Sequence, residues 1–340
     1  MNWSTLPLLL LAGGLSAQTP TNIEAAEWNP WTGEWLVSNG SSVLSTPDGS
    51  SWAYFGEAIG SHGMEVSSNL FVTASGSTIR AYDATTAEFL GSANVPGAQF
   101  LNGMGADGVT FYVSDFSGSR IHAIDATDPA AMLVSTLVPS TPCTPNGVTY
   151  DASNDRILFV CWGASAGIHA VDPETGEVST VVANTGLGNL DGIDGDGAGN
   201  YYVSSWSPAR ITRFSDDFAA SETVVSSGLA SPADISFDPV SDILGVANSG
   251  NQTLTLHDFS DFVGLPSVAG SKDCGEFVWS RADGILSFSD AFTGAWELRA
   301  YAGDGRLVIE SQVATLPIAV PASASVLVLT STDGCRQVLR

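Results

Sequence analysis

The sequence predicts an all-β protein: a six-bladed β-propeller followed by a small β-sandwich. Three observations predict it. A strand–turn–strand layout recurs six times across residues 22–262, with a period of about 42. The strands are rich in Val, Ile, Phe, Tyr and Thr and alternate in polarity, as half-buried strands do. No stretch carries a sustained helical period with caps. Short strands repeated every forty-odd residues describe propeller blades, each burying its faces against its neighbours. Two packed sheets would leave the regular period unexplained.

In chain order, Leu6 to Leu15 form an apolar stretch too short to span a bilayer, followed by Ser16 and Ala17. Residues 1–17 therefore read as a secretory signal peptide cleaved after Ala17. The propeller follows over residues 18–262. Its first strands open at Ile23, His62, Asn102, Asn146, Asp191 and Ala233. Second strands begin at Glu34, Leu70, Phe111, Ile157, Tyr201 and Ile243, and a third strand follows each across Asp-Gly, Ser-Gly or similar turns. Residues 263–272 read as a linker and 273–340 as the C-terminal β-sandwich, where the period stops and strands alternate with Asp-Gly turns. The outer strand closing the ring is expected from residues near Glu276 to Arg281 or from the N-terminal end of the mature chain.

Charge narrows the partners. Lys and Arg number 11 and Asp and Glu 36, a formal charge of −25, in a chain that is 44% apolar and 14% charged. Polyanions are repelled, which argues against nucleic acid and anionic lipid surfaces and leaves cations as plausible partners. Solubility in a salty exterior accounts for the acidity equally well. No segment after residue 17 is apolar enough to insert in a membrane. An exported chain with four cysteines is expected to form two disulfides, Cys143–Cys161 and Cys274–Cys335, each within one unit.

One polar residue stands at the same phase of each repeat: Glu24, His62, Asn102, Asn146, Asp191 and Asp234, spaced 38, 40, 44, 45 and 43 residues apart. Corresponding positions of consecutive blades lie on a ring, so these side chains are expected to meet at one mouth of the central channel. The glycines that follow four of them (Gly63, Gly103, Gly147, Gly192) are expected to permit a tight backbone turn there. Like charges and amides gathered in a small volume require a partner. An all-oxygen set of carboxylates and Asn carbonyls suits calcium, or another divalent cation, better than zinc or copper. A water-filled polar channel with Asn and Asp as turn residues is the alternative.

At these residues the chain resembles the calcium-dependent six-bladed propellers of the gluconolactonase/regucalcin family, with paraoxonase and diisopropylfluorophosphatase as more distant relatives. The resemblance implies metal ligands at Glu24 in IEAAEWN, Asn146 in TPNGVTYD, Asp191 in NLDGIDGDG and Asn102 in FLNGMGADG. Asn102 would also contact substrate, and Asp191 would activate water or attack directly. Sugar lactonases of that family carry an Arg just before the middle Asn-Gly. Here Gln99, Phe100 and Leu101 stand there, so the resemblance does not extend to aldonolactone specificity. The tail, with RAYAGDGRLV, resembles a C-terminal sorting domain of the type IX secretion pathway, although it lacks a Pro-Asn-Pro start. That resemblance implies the type IX machinery as a partner. The alternative is a domain that braces the propeller.

Two functions follow as expectations. One is a secreted calcium-dependent hydrolase of the lactonase or esterase type acting on a small molecule, with Asp191 and His62 as catalytic groups and Asn102 on the substrate. The other is a non-catalytic extracellular binding propeller with a structural calcium, whose Trp28, Trp31, Trp162 and Trp206 stack on a ligand or pack between blades. His122 and His169 fall on third strands, away from the channel. No serine nucleophile elbow and no phosphate-binding glycine loop is present.

Overall fold

The computed structural model describes residues 19–260 and, beyond them, the strand segments 277–280, 285–288, 296–301, 307–313, 318–320, 326–331 and 336–339. Residues 19–260 form six antiparallel sheets in sequence order, and the one helical turn among the described residues is the 3-10 turn Pro129–Ala131. Blade 1 comprises β1 (Ala26–Asn29), β2 (Glu34–Asn39), β3 (Ser42–Thr46) and β4 (Ala53–Tyr54). Blade 2 comprises β5 (Met64–Ser67), β6 (Leu70–Ser75), β7 (Thr78–Asp83) and β8 (Phe89–Asn94). Blade 3 comprises β9 (Leu101–Asp107), β10 (Thr110–Asp115), β11 (Arg120–Asp125) and β12 (Leu133–Val138). Blade 4 comprises β13 (Thr144–Asp151), β14 (Arg156–Trp162), β15 (Ile168–Val171) and β16 (Val178–Val182). Blade 5 comprises β17 (Gly188–Gly195), β18 (Asn200–Ser207), β19 (Ala209–Ser215) and β20 (Ser221–Val225). Blade 6 has three strands among the described residues, β21 (Pro232–Asp238), β22 (Ile243–Asn248) and β23 (Thr253–Asp258). The protein is an all-β six-bladed propeller.

Burial grades along the radius and explains the sequence of each strand. Second strands are buried along almost their whole length: Ile157 to Cys161 of β14 are all inaccessible or nearly so. Such strands lie between two neighbouring blades, so both faces are apolar and the expected alternation gives way to continuous runs. Outer strands such as β12 and β20 are largely exposed. The core is accordingly a series of seams between blades. Phe71 meets Phe55 edge-on at 5.5 Å between blades 1 and 2, and Tyr202 stacks on Phe237 at 5.0 Å between blades 5 and 6. Trp28 and Trp31 belong to these seams: Trp28 packs on Trp35 at 5.0 Å, and Trp31 joins the blade 1–2 cluster.

Among the described residues, the ring closes without a fourth strand in blade 6. The Ile23 N–H donates to Gln252 Oε1 (2.5 Å), the Trp28 N–H to Ser236 Oγ (3.0 Å) and the Asp234 N–H to the Glu24 carbonyl (3.2 Å). Trp52, from the loop after β3, packs on the cluster that joins blade 1 (Ile23, Ala26, Trp35, Val37) to blade 6 (Ala247, Leu254). Phe277–Ser280, expected as a candidate closing strand, pairs instead with Ile285–Phe288. The tail strands pair as one three-stranded and one four-stranded antiparallel sheet. Their packing, and with it the β-sandwich and sorting-domain readings, lies outside the described residues. So do residues 1–17, the linker and the Cys274–Cys335 pair. Cys143 and Cys161 are joined, bracing β13 against β14.

Two outcomes test this account. Gly245 of β22 faces the Trp35 ring, where a Cβ would stand 2.5 Å from Cζ3 and 2.6 Å from Cε3. Gly245→Ala therefore overpacks the closing seam and should destabilise the fold by about 1–3 kcal/mol in denaturant titration. Cys143→Ser with Cys161→Ser removes a cross-link spanning 18 residues and should cost about 2–4 kcal/mol relative to the oxidised protein.

Candidate functional site at the channel mouth

The inner strands carry a repeated irregularity that sets the site. In β9, β13, β17 and β21 the pairing to the second strand shifts by one residue, so that two inner residues oppose one. The pairs are Asn102–Gly103, Asn146–Gly147, Asp191–Gly192 and Ala233–Asp234. These are β-bulges, which re-aim a side chain at the cost of an irregular ladder. Serines on the second strands satisfy the backbone there. Ser204 Oγ accepts from the Gly192 N–H (2.7 Å) and donates to the Ala233 carbonyl (2.7 Å), and Ser38 Oγ accepts from the N–H groups of Glu24 and Ala25. The Val-Ser pairs in EWLVSN, FYVSD and YYVSS are the sequence trace of this support.

The register corrects one member of the ring. Leu190 and Ile193 of β17 occupy the same places as Pro232 and Ile235 of β21, so Asp191 corresponds to Ala233. Asp234 stands one residue further on, at the place held by Gly192. The ring at the mouth is therefore Glu24, His62, Asn102, Asn146, Asp191 and Ala233. The glycines have a different role from the one expected. None of Gly63, Gly103, Gly147 and Gly192 has positive φ. A Cβ on Gly103 would stand 2.5 Å from the Asn146 carbonyl oxygen, and one on Gly192 2.7 Å from the Ile235 nitrogen. Backbones of adjacent blades approach too closely there for any side chain.

Four of the expected residues meet. Asn102 Nδ2 donates to Asn146 Oδ1 (2.6 Å), and Asn146 Nδ2 donates to the Leu190 carbonyl (3.1 Å). The Leu190 bond fixes the orientation of Asn146, leaving its oxygen on the Asn102 side. Asn146 and Asp191 are buried, at 2% and 7% exposure. Burial pushes the Asp191 carboxyl well above its ordinary range, and the charges of Glu24 and Asp234 push it further. The Glu24 carboxyl is raised by burial and eased by Ser249. The fifth, His62, turns Nδ1 toward Ser61 Oγ at 3.2 Å and sets its ring against Phe100 at 4.7 Å. Burial lowers its pKa, so the imidazole is neutral at pH 7. His122 and His169 lie on β11 and β15, third strands away from the channel.

A second acidic tier lies three residues along the same strands and was missed in the sequence. The spacings Glu24–Glu27, His62–Glu65 and Asp191–Asp194 are its signal, because n and n+3 share a face when a bulge adds a residue between them. Glu27 and Glu65 are both raised well above the usual carboxylate range, chiefly by burial. For Glu27 the next cause is the charge of Asp194, and for Glu65 it is Glu27. Glu27 Oε1 accepts from the Val66 N–H (3.0 Å). Asp194 accepts from Phe237 N–H (2.7 Å), Gly195 N–H (2.8 Å) and Thr149 Oγ1 (3.3 Å), yet burial still lifts it to about 6.

Also missed were Phe100 and Phe116, which with Trp162 and Trp206 form a run of rings from His62 across blades 3 to 5. Among the described residues, the one group of three His, Cys, Asp or Glu side chains with ligand atoms within 4.8 Å of each other is Cys143, Cys161 and His169. The disulfide occupies both sulfurs of that group. Among the described residues, no three channel carboxylates therefore bring their oxygens within 4.8 Å of one another.

Such a polar channel at the axis of six blades defines the class of protein. Its sequence matches no protein-family model and no curated protein. Solved structures share the fold. The chain superposes on one from a nidogen/laminin complex with a TM-score of 0.58 at 13% identity, covering 67% of this chain and 90% of that one. It also superposes on a gluconolactonase of Xanthomonas campestris with a TM-score of 0.56 at 14% identity, covering 71% of this chain and 86% of that one.

Asp194 offers a direct test of the acidic channel. Its folded pKa lies above its unfolded value of 3.8, so lowering pH from 7 through about 6 favours the folded state. Asp194→Asn does not titrate. In chelated buffer the stability of wild type minus variant should therefore rise between pH 7 and 4, by on the order of 3 kcal/mol. Urea titrations of both proteins at each pH measure it, and a pH-independent difference would refute the shift.

Proposed function

We propose that the protein is an exported hydrolase of the lactonase or esterase type that uses a divalent cation, calcium by preference, at the channel mouth. One observation carries the reading: Glu24, Asn102, Asn146 and Asp191 converge from four blades, with the half-buried Glu24 carboxylate and the buried Asp191 carboxylate repelling one another. No Arg or Lys ion pair among the described residues involves either carboxylate; the Arg pairs are Arg156–Asp151 and Arg213–Glu222. Oxygen donors, carboxylate and carboxamide together, fit calcium. Glu24, Asn146, Asp191 and Asn102 would hold the ion, which when bound supplies Lewis acidity to a carbonyl or phosphoryl oxygen.

The chain's own groups supply the rest. Asn102 orients substrate from the side fixed by Asn146. Asp191 activates water or attacks directly, and His62, kept neutral by its burial, is the second base. The likeness to the Xanthomonas campestris gluconolactonase supports this reading at the level of the fold. Export is part of the proposal: the signal-like residues 1–17 and the Cys143–Cys161 disulfide support it, and the tail's likeness to a sorting domain would make the route type IX. A second reading, a binding propeller with a structural calcium, draws on the same backbone shape in the nidogen/laminin complex.

Metal removal separates these readings. Calcium should raise the melting temperature and EDTA lower it, because an ion bound to the folded state stabilises it by mass action. Glu24→Gln and Asp191→Asn should abolish that response. EDTA should also suppress hydrolysis of lactones, aryl esters or phosphotriesters. A calcium-stabilised protein inert on the whole panel would favour the binding propeller, and a melting temperature blind to EDTA would remove the metal.

A further inference from the structure

Blades 3 and 4 repeat one arrangement with different chemistry. In blade 3, Val113 of β10 pairs with His122 of β11, and Asp115 lies two residues further along β10. In blade 4, Phe159 of β14 pairs with His169 of β15, and Cys161 lies two residues further along β14. Cys161 and His169 therefore stand where Asp115 and His122 stand one blade earlier. Alternate residues of a strand share a face, so each arrangement sets a second-strand side chain beside a third-strand imidazole. The blade 3 pair is closed. Asp115 and His122 are 0% and 1% exposed, and Asp115 accepts from the N–H groups of Gln99, Phe100 and Gly118.

The blade 4 pair has a third member and reaches solvent. Cys143, the residue before β13, is half-buried, as is His169, while Cys161 is buried. The two sulfurs and a ring nitrogen of His169 all lie within 4.8 Å of one another. The imidazole is held in place: it stacks on Phe159 at 5.3 Å, and its Nδ1 lies 3.4 Å from Thr180 Oγ1. Burial lowers the His169 pKa, so the ring is neutral at pH 7, the form that ligates a metal.

We propose that reduction of the Cys143–Cys161 bond opens a site for a thiophilic divalent cation of the zinc type, held by both thiolates and His169. The site is separate from the calcium reading of the channel mouth and does not depend on it. Two equivalents of a small thiol supply two electrons and two protons. The S–S bond breaks, giving two protein thiols and one small-molecule disulfide. The cation then displaces both thiol protons to solvent and bonds two sulfurs and one nitrogen, with water as its fourth ligand. Thiolate and imidazole donors select such an ion over calcium, whose ligands are oxygens. A tetrahedral zinc holds sulfur and nitrogen ligands about 3.5–3.8 Å apart, inside the 4.8 Å that spans the three groups. The freed sulfurs need to part by about 2 Å to reach that spacing. Two thiolates neutralise the ion, so a half-buried place accommodates it. The metal would then tie β13 to β14 where the disulfide did, keeping the brace when the bond is reduced.

Two measurements on the purified full chain test it, after reduction with β-mercaptoethanol and its anaerobic removal, with the fold checked by circular dichroism. The first is alkylation by iodoacetamide with and without zinc. Peptide mass spectrometry separates Cys143 and Cys161 from Cys274 and Cys335. Zinc at ten times its dissociation constant should slow alkylation of Cys143 and Cys161 together by about tenfold. The second is titration with cobalt, a coloured substitute for zinc, followed by its thiolate charge-transfer band. His169→Gln should weaken cobalt binding by about tenfold or more. Cys143→Ser, a second variant should His169→Gln fail to fold, should lose the band and leave Cys161 unprotected. The oxidised chain should show no band. Protection confined to Cys274 and Cys335, equal alkylation rates with and without zinc, or a band indifferent to both variants would overturn the site. So would a reduced chain that loses its fold before metal is added.

Discussion

Six inner strands must share one axis, and their backbones touch. That contact is the constraint on which the site depends. At Gly103, Gly147 and Gly192 the carbonyl or amide of the next blade occupies the space a side chain would need. A bulge at the same place turns the preceding side chain into the channel. Close approach and side-chain direction thus have one cause, and they concentrate whatever chemistry those positions carry. Asn, Asn and Asp at successive bulges become neighbours although 44 and 45 residues separate them in sequence.

Concentration brings an electrostatic problem. Two tiers of carboxylates, Glu24 and Asp191 and, three residues along the same strands, Glu27, Glu65 and Asp194, crowd the inner strands, and burial and mutual repulsion raise their pKa values. The protein supplies backbone N–H donors to Glu27 and Asp194. Among the described residues, Asp191 has no such donor within hydrogen-bond distance: the polar groups of Asn146 and Trp206 lie near it and relieve it incompletely. Glu65 has only other carboxylates acting on it, and Asp191 stays raised despite its polar neighbours, so neither tier is fully satisfied by the protein itself. Perturbed carboxylates gathered in a cleft are what a functional site requires.

The same mouth is lopsided. Blades 2 to 5 raise aromatic rings beside the polar cluster, whereas blade 6 offers Ala233 at the corresponding place. A propeller repeats its backbone and leaves each blade free to carry a different side chain. That freedom lets one fold serve different functions.

The repeat period, the strand positions and the phase of Glu24, His62, Asn102, Asn146 and Asp191 were legible in the sequence because each blade repeats the same local pattern of turns and apolar strands. The Cys143–Cys161 pairing was legible for the same reason: both residues flank one hairpin. Local pattern could not reveal the rest. Asp234 and Ala233 differ by one place in a bulge, and only hydrogen-bond register decides which faces the axis. The Glu27–Glu65–Asp194 tier is hidden because a bulge changes the face parity of everything after it. Phe100, Phe116, Trp162 and Trp206 sit at strand ends scattered over more than 100 residues, and closure of the ring brings them side by side. Sequence fixes what each blade presents; the shared axis decides which of those groups meet.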